Sequence, residues 1–96
     1  MPRNRNKTYE ESRVSRIRSY GITVEQYEAM LEAQQGGCYI CGAEPKIRRA
    51  LDIDHDHASG KVRGLLCSSH NRAIGLLGDD PELLLAAHAY LVKEHA

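Results

Sequence analysis

The sequence predicts an α+β fold: two N-terminal helices, a β-hairpin running into a third helix, and one C-terminal helix, clipped together by a metal. Three observations predict it. Cys38-x-x-Cys41 and Cys67-x-x-His70 supply four soft or borderline ligands in two pairs, the layout of a closed, tetrahedral, structural zinc site. Between the pairs, Leu51 to His57 and Lys61 to Leu66 read as strands on either side of a turn at Ala58-Ser59-Gly60-Lys61. Outside the pairs, Thr23 with Gln26 and Asp80 with Pro81 are helix starts.

Taken in order, residues 1–8 form a flexible basic arm. A basic helix follows from about Tyr9 to Ser19, with Val14, Ile17 and Tyr20 as a weak apolar stripe, and Gly21 stops it. Thr23 caps a second helix whose Val24, Tyr27, Met30 and Leu31 share a face, and Gly36-Gly37 ends it. Cys38 to Gly42 is a knuckle that folds two thiolates back on one ion. In the first strand Leu51, Ile53 and His55 face one side, and Asp52, Asp54 and Asp56 the other. Ser68 or Ser69 caps a helix to about Leu77, which puts His70 and Asn71 in its first turn. Gly78-Asp79-Asp80-Pro81 breaks the chain and restarts it, with Asp80 as cap. In the last helix Leu84, Leu85, Leu91 and Val92 give a stripe on which His88 packs, while His95 is exposed. All 96 residues form one domain, with 38–78 as its centre.

Composition supports the metal. The chain has no Phe and no Trp, so its core is thin, and small domains of this kind need a staple. Three cysteines cannot pair off, which favours a metal over disulfides and a reducing compartment. No apolar run reaches the roughly 18 residues of a membrane span, and no signal-peptide pattern opens the chain, so the expectation is a cytoplasmic protein. The net charge is zero, with 13 basic and 13 acidic residues, but the charge is segregated. Arg3, Arg5, Lys7, Arg13, Arg16 and Arg18 crowd the first twenty residues, and Lys46, Arg48, Arg49, Lys61, Arg63 and Arg72 surround the ligand pairs. Such segregation is the footprint of a phosphate binder.

Nested inside the ligand pairs is a second constellation: Asp54, His55, His57 and Asn71. These are hard oxygen and imidazole groups, suited to a catalytic divalent cation and a general base. The blander reading of Asp54-His55-Asp56-His57 is a polar turn or a second structural metal site.

The run Leu51-Asp52-Ile53-Asp54-His55-Asp56-His57, then Gly60-Lys61-Val62-Arg63-Gly64-Leu65-Leu66-Cys67, then Asn71, resembles the recombination endonuclease VII family, within the wider HNH nucleases. The stretch from Tyr20 to Tyr27, and Gly36-Gly37-Cys38, resembles what precedes the knuckle there. The resemblance covers about residues 16–78. It implies a ββα-metal (His-Me finger) core and metal-dependent hydrolysis of DNA phosphodiesters. Where the family often has a cysteine this chain has His70, so a three-thiolate, one-imidazole zinc site is expected. The member that gives the family its name has a long C-terminal region contributing to an intertwined dimer. Here eighteen residues follow Gly78, so phosphodiester cleavage is expected while four-way-junction resolution stays open.

The chemistry needs an activated water, a neutralised phosphate and a stabilised leaving oxygen. Asp54 and Asn71 each offer one oxygen to Mg²⁺ or Mn²⁺, and the resemblance gives them the same part. His55 is then the general base. Ligand and base cannot both project from a flat strand, which predicts a bend or bulge between them. His57 reaches the phosphate or the metal. Arg63 and Arg72 are phosphate clamps, and Arg13, Arg16 and Lys61 add DNA contacts. The expected partner is DNA, with branched or nicked forms included, in the host cytoplasm if the chain is phage-encoded. Two other readings remain open: a non-catalytic zinc module binding DNA or protein, and an RNA-cutting nuclease with the same site.

Overall fold

A computed structural model describes residues 8–47 and 49–95, so the expected arm at 1–7 and Arg48 lie outside the described residues. Four helices and one two-stranded antiparallel sheet are described: α1 (Tyr9–Ser19), α2 (Val24–Ala33), β1 (Asp52–His55), β2 (Val62–Leu66), α3 (Ser68–Leu76) and α4 (Pro81–Val92). The α+β expectation holds at that level.

Capping sets the helix starts. Thr8, counted above with the arm, is the N-cap of α1 and forms a capping box with Glu11. Thr23 and Gln26 form the expected box on α2. Asp80 accepts from the Glu82 N–H at 2.9 Å, with Pro81 in the first turn of α4. At the end of α2 two consecutive residues are left-handed, Gln35 with φ 57° and Gly36 with φ 79°, so the reversal begins one residue ahead of the glycine pair. Gly36 N–H then reaches back to the Leu31 carbonyl at 2.8 Å. Gly37 has a different role: a Cβ there would lie 2.3 Å from the Gly42 carbonyl oxygen, so the knuckle can pass only over a glycine.

The core lies where α1 and α2 meet the hairpin. Ile17, Tyr27, Cys38, Leu51, Ile53, Leu65 and Leu66 are buried, with Val24, Met30, Leu31, Val62 and Ile74 packed against them. Ile17 is fully buried, worth about 1.5–3 kcal/mol. Tyr20, expected on the stripe of α1, is instead exposed and lies 5.8 Å from the His55 ring.

Gln34, just past α2, was not singled out by any pattern. Its side-chain amide behaves like a piece of strand. Nε2 donates to the carbonyls of Gly37 (2.8 Å) and Leu65 (2.9 Å), and Oε1 accepts from the Leu65 N–H at 3.0 Å. It thereby closes the outer edge of β2. Gln34→Leu should destabilise the fold by about 1–3 kcal/mol, because a partly buried N–H loses its partner. The check is the denaturation midpoint; no shift would mean that the amide is replaceable.

Three expectations need correction. The first strand stops at His55, not His57. Asp56 ends it: its Oδ1 accepts from the N–H groups of Ala58 (2.7 Å) and Ser59 (3.3 Å), which closes the turn early. The N-cap of α3 is Cys67, not Ser68 or Ser69, and it makes no side-chain cap bond. Its extended backbone already delivers the Cys67 carbonyl to the Asn71 N–H at 3.0 Å, so the helix starts directly on Cys67. Finally, the stripe of α4 packs on nothing buried, and His88 is exposed. Leu83, Leu84, Leu85, Tyr90, Leu91 and Val92 point all round this helix and are exposed. Having no single apolar face, α4 leaves the body of the domain. The long axis reaches 67 Å and the radius of gyration is 16.7 Å, against about 12–13 Å for a compact chain of this length.

Candidate active site

Two secondary-structure junctions deliver the four residues that could hold a metal ion. The knuckle is closed by its own backbone: the Gly42 N–H donates to the Cys38 carbonyl at 2.8 Å, and the Cys38 N–H to the Ala43 carbonyl at 2.9 Å. Across from it, Cys67 joins β2 to α3 and His70 sits in the first turn of α3. Cys41 Sγ lies 3.9 Å from Cys67 Sγ, and Cys67 Sγ lies 3.2 Å from His70 Nδ1. All four ligand atoms of Cys38, Cys41, Cys67 and His70 fall within 4.8 Å of one another. A tetrahedral zinc with bonds of about 2.0–2.3 Å needs edges of about 3.5–3.8 Å, which these separations bracket. The donor set and its spacing therefore suit a zinc ion.

The electrostatics favour thiolate on the buried side. Burial pushes the Cys38 thiol up, but the backbone N–H groups of Cys41, Cys67 and Ile40 outweigh it and bring the thiol down to about 6. Cys41 moves up: the Ala43 N–H lowers it, but desolvation and the neighbouring sulfurs of Cys38 and Cys67 prevail. One sulfur carries charge before the other.

The second constellation is built on a bulge. Asp54 pairs with Gly64 while His55 pairs with Val62, so one residue of β1 faces two of β2. The extra residue is Arg63. The irregularity thus falls at the step where the sequence demanded one, but it is carried by the opposite strand. It turns the Arg63 side chain onto Asp54. Nε donates to Asp54 Oδ2 at 2.7 Å and Nη2 to Oδ1 at 3.1 Å, a two-pronged fork. Nη2 also reaches Asp79 Oδ2 at 3.1 Å. Asp54 is 8% exposed, although alternation alone would place it opposite the core. The guanidinium neutralises it there.

His55 is half-buried, and its ring stacks on that of His57 with centroids 4.8 Å apart. His57 is exposed and lies 3.7 Å from Asp79 Oδ2. The Asn71 amide nitrogen donates to Asp52 Oδ2 at 3.2 Å. Arg63 thus links Asp54 to Asp79, His57 links Asp79 to the His55 ring, and Asn71 sits against Asp52.

The remaining basic residues divide. Arg13 is held by Glu10 (2.9 Å) and Glu28 (3.0 Å) and lies over the Tyr27 ring, with Arg16 beside it. Arg13, Arg16 and Arg49 line a cleft of about 210 Å³ that ends at Asp52. Lys61 and Arg72 are exposed. Sequence reasoning missed Asp52, Asp79 and Tyr20. The only signal at Asp79 was its place in a helix break, where Asp80 drew attention as the cap.

Residues 13–93 match the recombination endonuclease VII family. The chain is 45% identical to the Gene 59 protein of Mycobacterium phage D29 over 93 residues, covering 96% of this chain and 55% of the phage protein. It is 39% identical to the Gene 59 protein of Mycobacterium phage L5 over 93 residues, covering 96% and 56%. The chain spans about half the length of these relatives. No helix among the described residues is long and apolar enough to cross a membrane.

Proposed function

The chain belongs to the recombination endonuclease VII family, and from that premise we propose that it is a metal-dependent DNA endonuclease or nickase of the HNH type. In this reading β1, β2 and α3 are the ββα-metal core. Cys38, Cys41, Cys67 and His70 hold a structural zinc. Asp54 and Asn71 hold a catalytic Mg²⁺ or Mn²⁺, and His55 is the general base. When bound, that cation neutralises charge on the phosphate and supports the leaving 3′ oxygen. His55 takes the proton of the attacking water as its oxygen bonds to phosphorus. Asp52 orients the Asn71 amide, and His57 supports the His55 ring. Arg13, Arg16, Lys61 and Arg72 supply phosphate contacts, and Arg63 becomes one once it leaves Asp54.

The observation that carries the reading is the bulge between Asp54 and His55. Its extra residue, Arg63, lays a guanidinium on the Asp54 carboxylate one position from the stacked His55–His57 pair, so the charged and imidazole groups this reading needs lie on one end of the hairpin. The guanidinium on Asp54 marks the carboxylate as a position where positive charge is already held.

Purified protein incubated with supercoiled plasmid should convert it to open-circle or linear DNA in Mg²⁺ or Mn²⁺, and should not in excess chelator. Nicked duplex and a synthetic four-way junction, run in parallel, test the preference for branched forms. Intact plasmid under every metal condition would refute the proposal.

A further inference from the structure

Arg63 is placed by the backbone, not by chance of rotamer. It is the extra residue of the β-bulge, so its side chain is aimed across β1 and not along the strand face. There it bridges two carboxylates from distant parts of the chain. Asp54 lies inside the hairpin and takes two of its N–H groups, while Asp79 follows α3 and takes one. Hydrogen bonding to Asp54 holds the guanidinium firmly protonated.

Asp79 is held in place as deliberately. Gly78 and Asp79 are consecutive left-handed residues, with φ 69° and 57°. The Asp79 N–H closes α3 by donating to the Ile74 carbonyl at 2.9 Å. An aspartate accepts that conformation better than most residues, but still at some cost. The turn carries its carboxylate to Arg63 and within 3.7 Å of His57. No cap function explains this side chain, since Asp80 caps α4.

Resting on the reading that Asp54 is the cation ligand, we propose that Arg63 is the resident counter-ion of that site. Its fork sets how readily Asp54 accepts a divalent cation, and Asp79 is the positioning residue that receives Arg63 when Asp54 is needed. The geometry supports both halves. A guanidinium and a divalent cation cannot share the same two carboxylate oxygens without strong repulsion. Arg63 does not have to be expelled into solvent, because Nη2 is already on Asp79. Pivoting on that anchor frees Nε and the remaining N–H groups, which then face the cavity of about 250 Å³ that Asp54, Arg63, Tyr39 and Ile40 line. A phosphate group there would meet a guanidinium with its donors unengaged. The arrangement keeps a nearly buried carboxylate compensated before the metal arrives.

The test is calorimetric titration of Mn²⁺ into zinc-loaded protein, so that the readout is binding and not cleavage. Arg63→Gln should bind Mn²⁺ about tenfold more tightly than the parent, within the usual range of coupling between sites. Asp79→Asn, which retains a residue at ease in the left-handed region, should bind it about threefold to tenfold more weakly. Asp79 acts through Arg63, so the double variant should match Arg63→Gln alone. If Asp79 merely added negative charge to the neighbourhood, its loss would weaken binding equally in both backgrounds, and the proposal would be overturned. Unchanged Mn²⁺ affinity in Arg63→Gln, or no binding by parent and variants alike, would also overturn it. Should Arg63→Gln lose its fold by circular dichroism, Arg63→Lys removes the fork and keeps the charge. It should tighten binding about threefold, and no change would again be decisive. The nuclease assignment stands or falls separately on the plasmid assay.

Discussion

Cys38→Ser is expected to abolish folding of the domain, and a strong zinc chelator is expected to do the same to the parent. Cys38 belongs to the four-residue set proposed to hold zinc and is one of the seven buried core residues among the described residues, at 2% exposure. Structural zinc contributes apparent binding free energies of about 10–16 kcal/mol, the size of a whole domain's stability. With neither Phe nor Trp in the chain, nothing else in the core offsets a loss on that scale. Acid should sensitise the site. The Cys38 thiol sits at about 6 when folded against an ordinary 9.0. Its thiolate stabilisation is therefore complete above about 9 and is lost as pH falls through about 6. Circular dichroism and melting temperature, followed with and without chelator across that range, check this. A stripped protein with unchanged spectrum and melting temperature would sink the structural role of the metal.

The second large effect is on catalysis. On the proposed assignment His55→Ala retains zinc, fold and DNA binding, yet cleaves plasmid about 10²–10⁴-fold more slowly, the usual scale for losing a general base. His55 is only half-buried and lies outside the hydrophobic core, so alanine should cost little stability. An imidazole base works only when unprotonated, so the rate of the parent should fall toward acid and the residual rate of the variant should not follow that limb. Equal rates for parent and variant would mean that the base is elsewhere.

How much could be read from the chain depends on whether the cause was local. Caps are local, and Thr23 with Gln26 and Asp80 with Pro81 were legible because each satisfies its own helix end within three residues. The ligand set was legible too, since two short spacings fix its chemistry before any folding occurs. The need for a bulge followed from the period of a strand. Its owner did not, because the choice between Asp54-His55 and Arg63 depends on what Asp54 does when buried. Asp79 and Gln34 act on partners 16 and 31 residues away, and no periodicity announces such pairs. The stripe of α4 was misread because a helix apolar on every side satisfies any stripe drawn on it.

The seven core residues also dictate an order of events during synthesis. Ile17 and Tyr27 have as core partners Leu51, Ile53, Leu65 and Leu66, all of which emerge later. At roughly 5–20 residues per second, α1 and α2 wait some seconds with their apolar faces uncovered. The first ligand pair waits as well, because Cys67 follows Cys41 by 26 residues. Closing a loop of that length costs little more than closing one half as long. The nascent chain therefore completes its sheet, its Cys–His cluster and its core nearly at once, when Leu65 to His70 clear the ribosome.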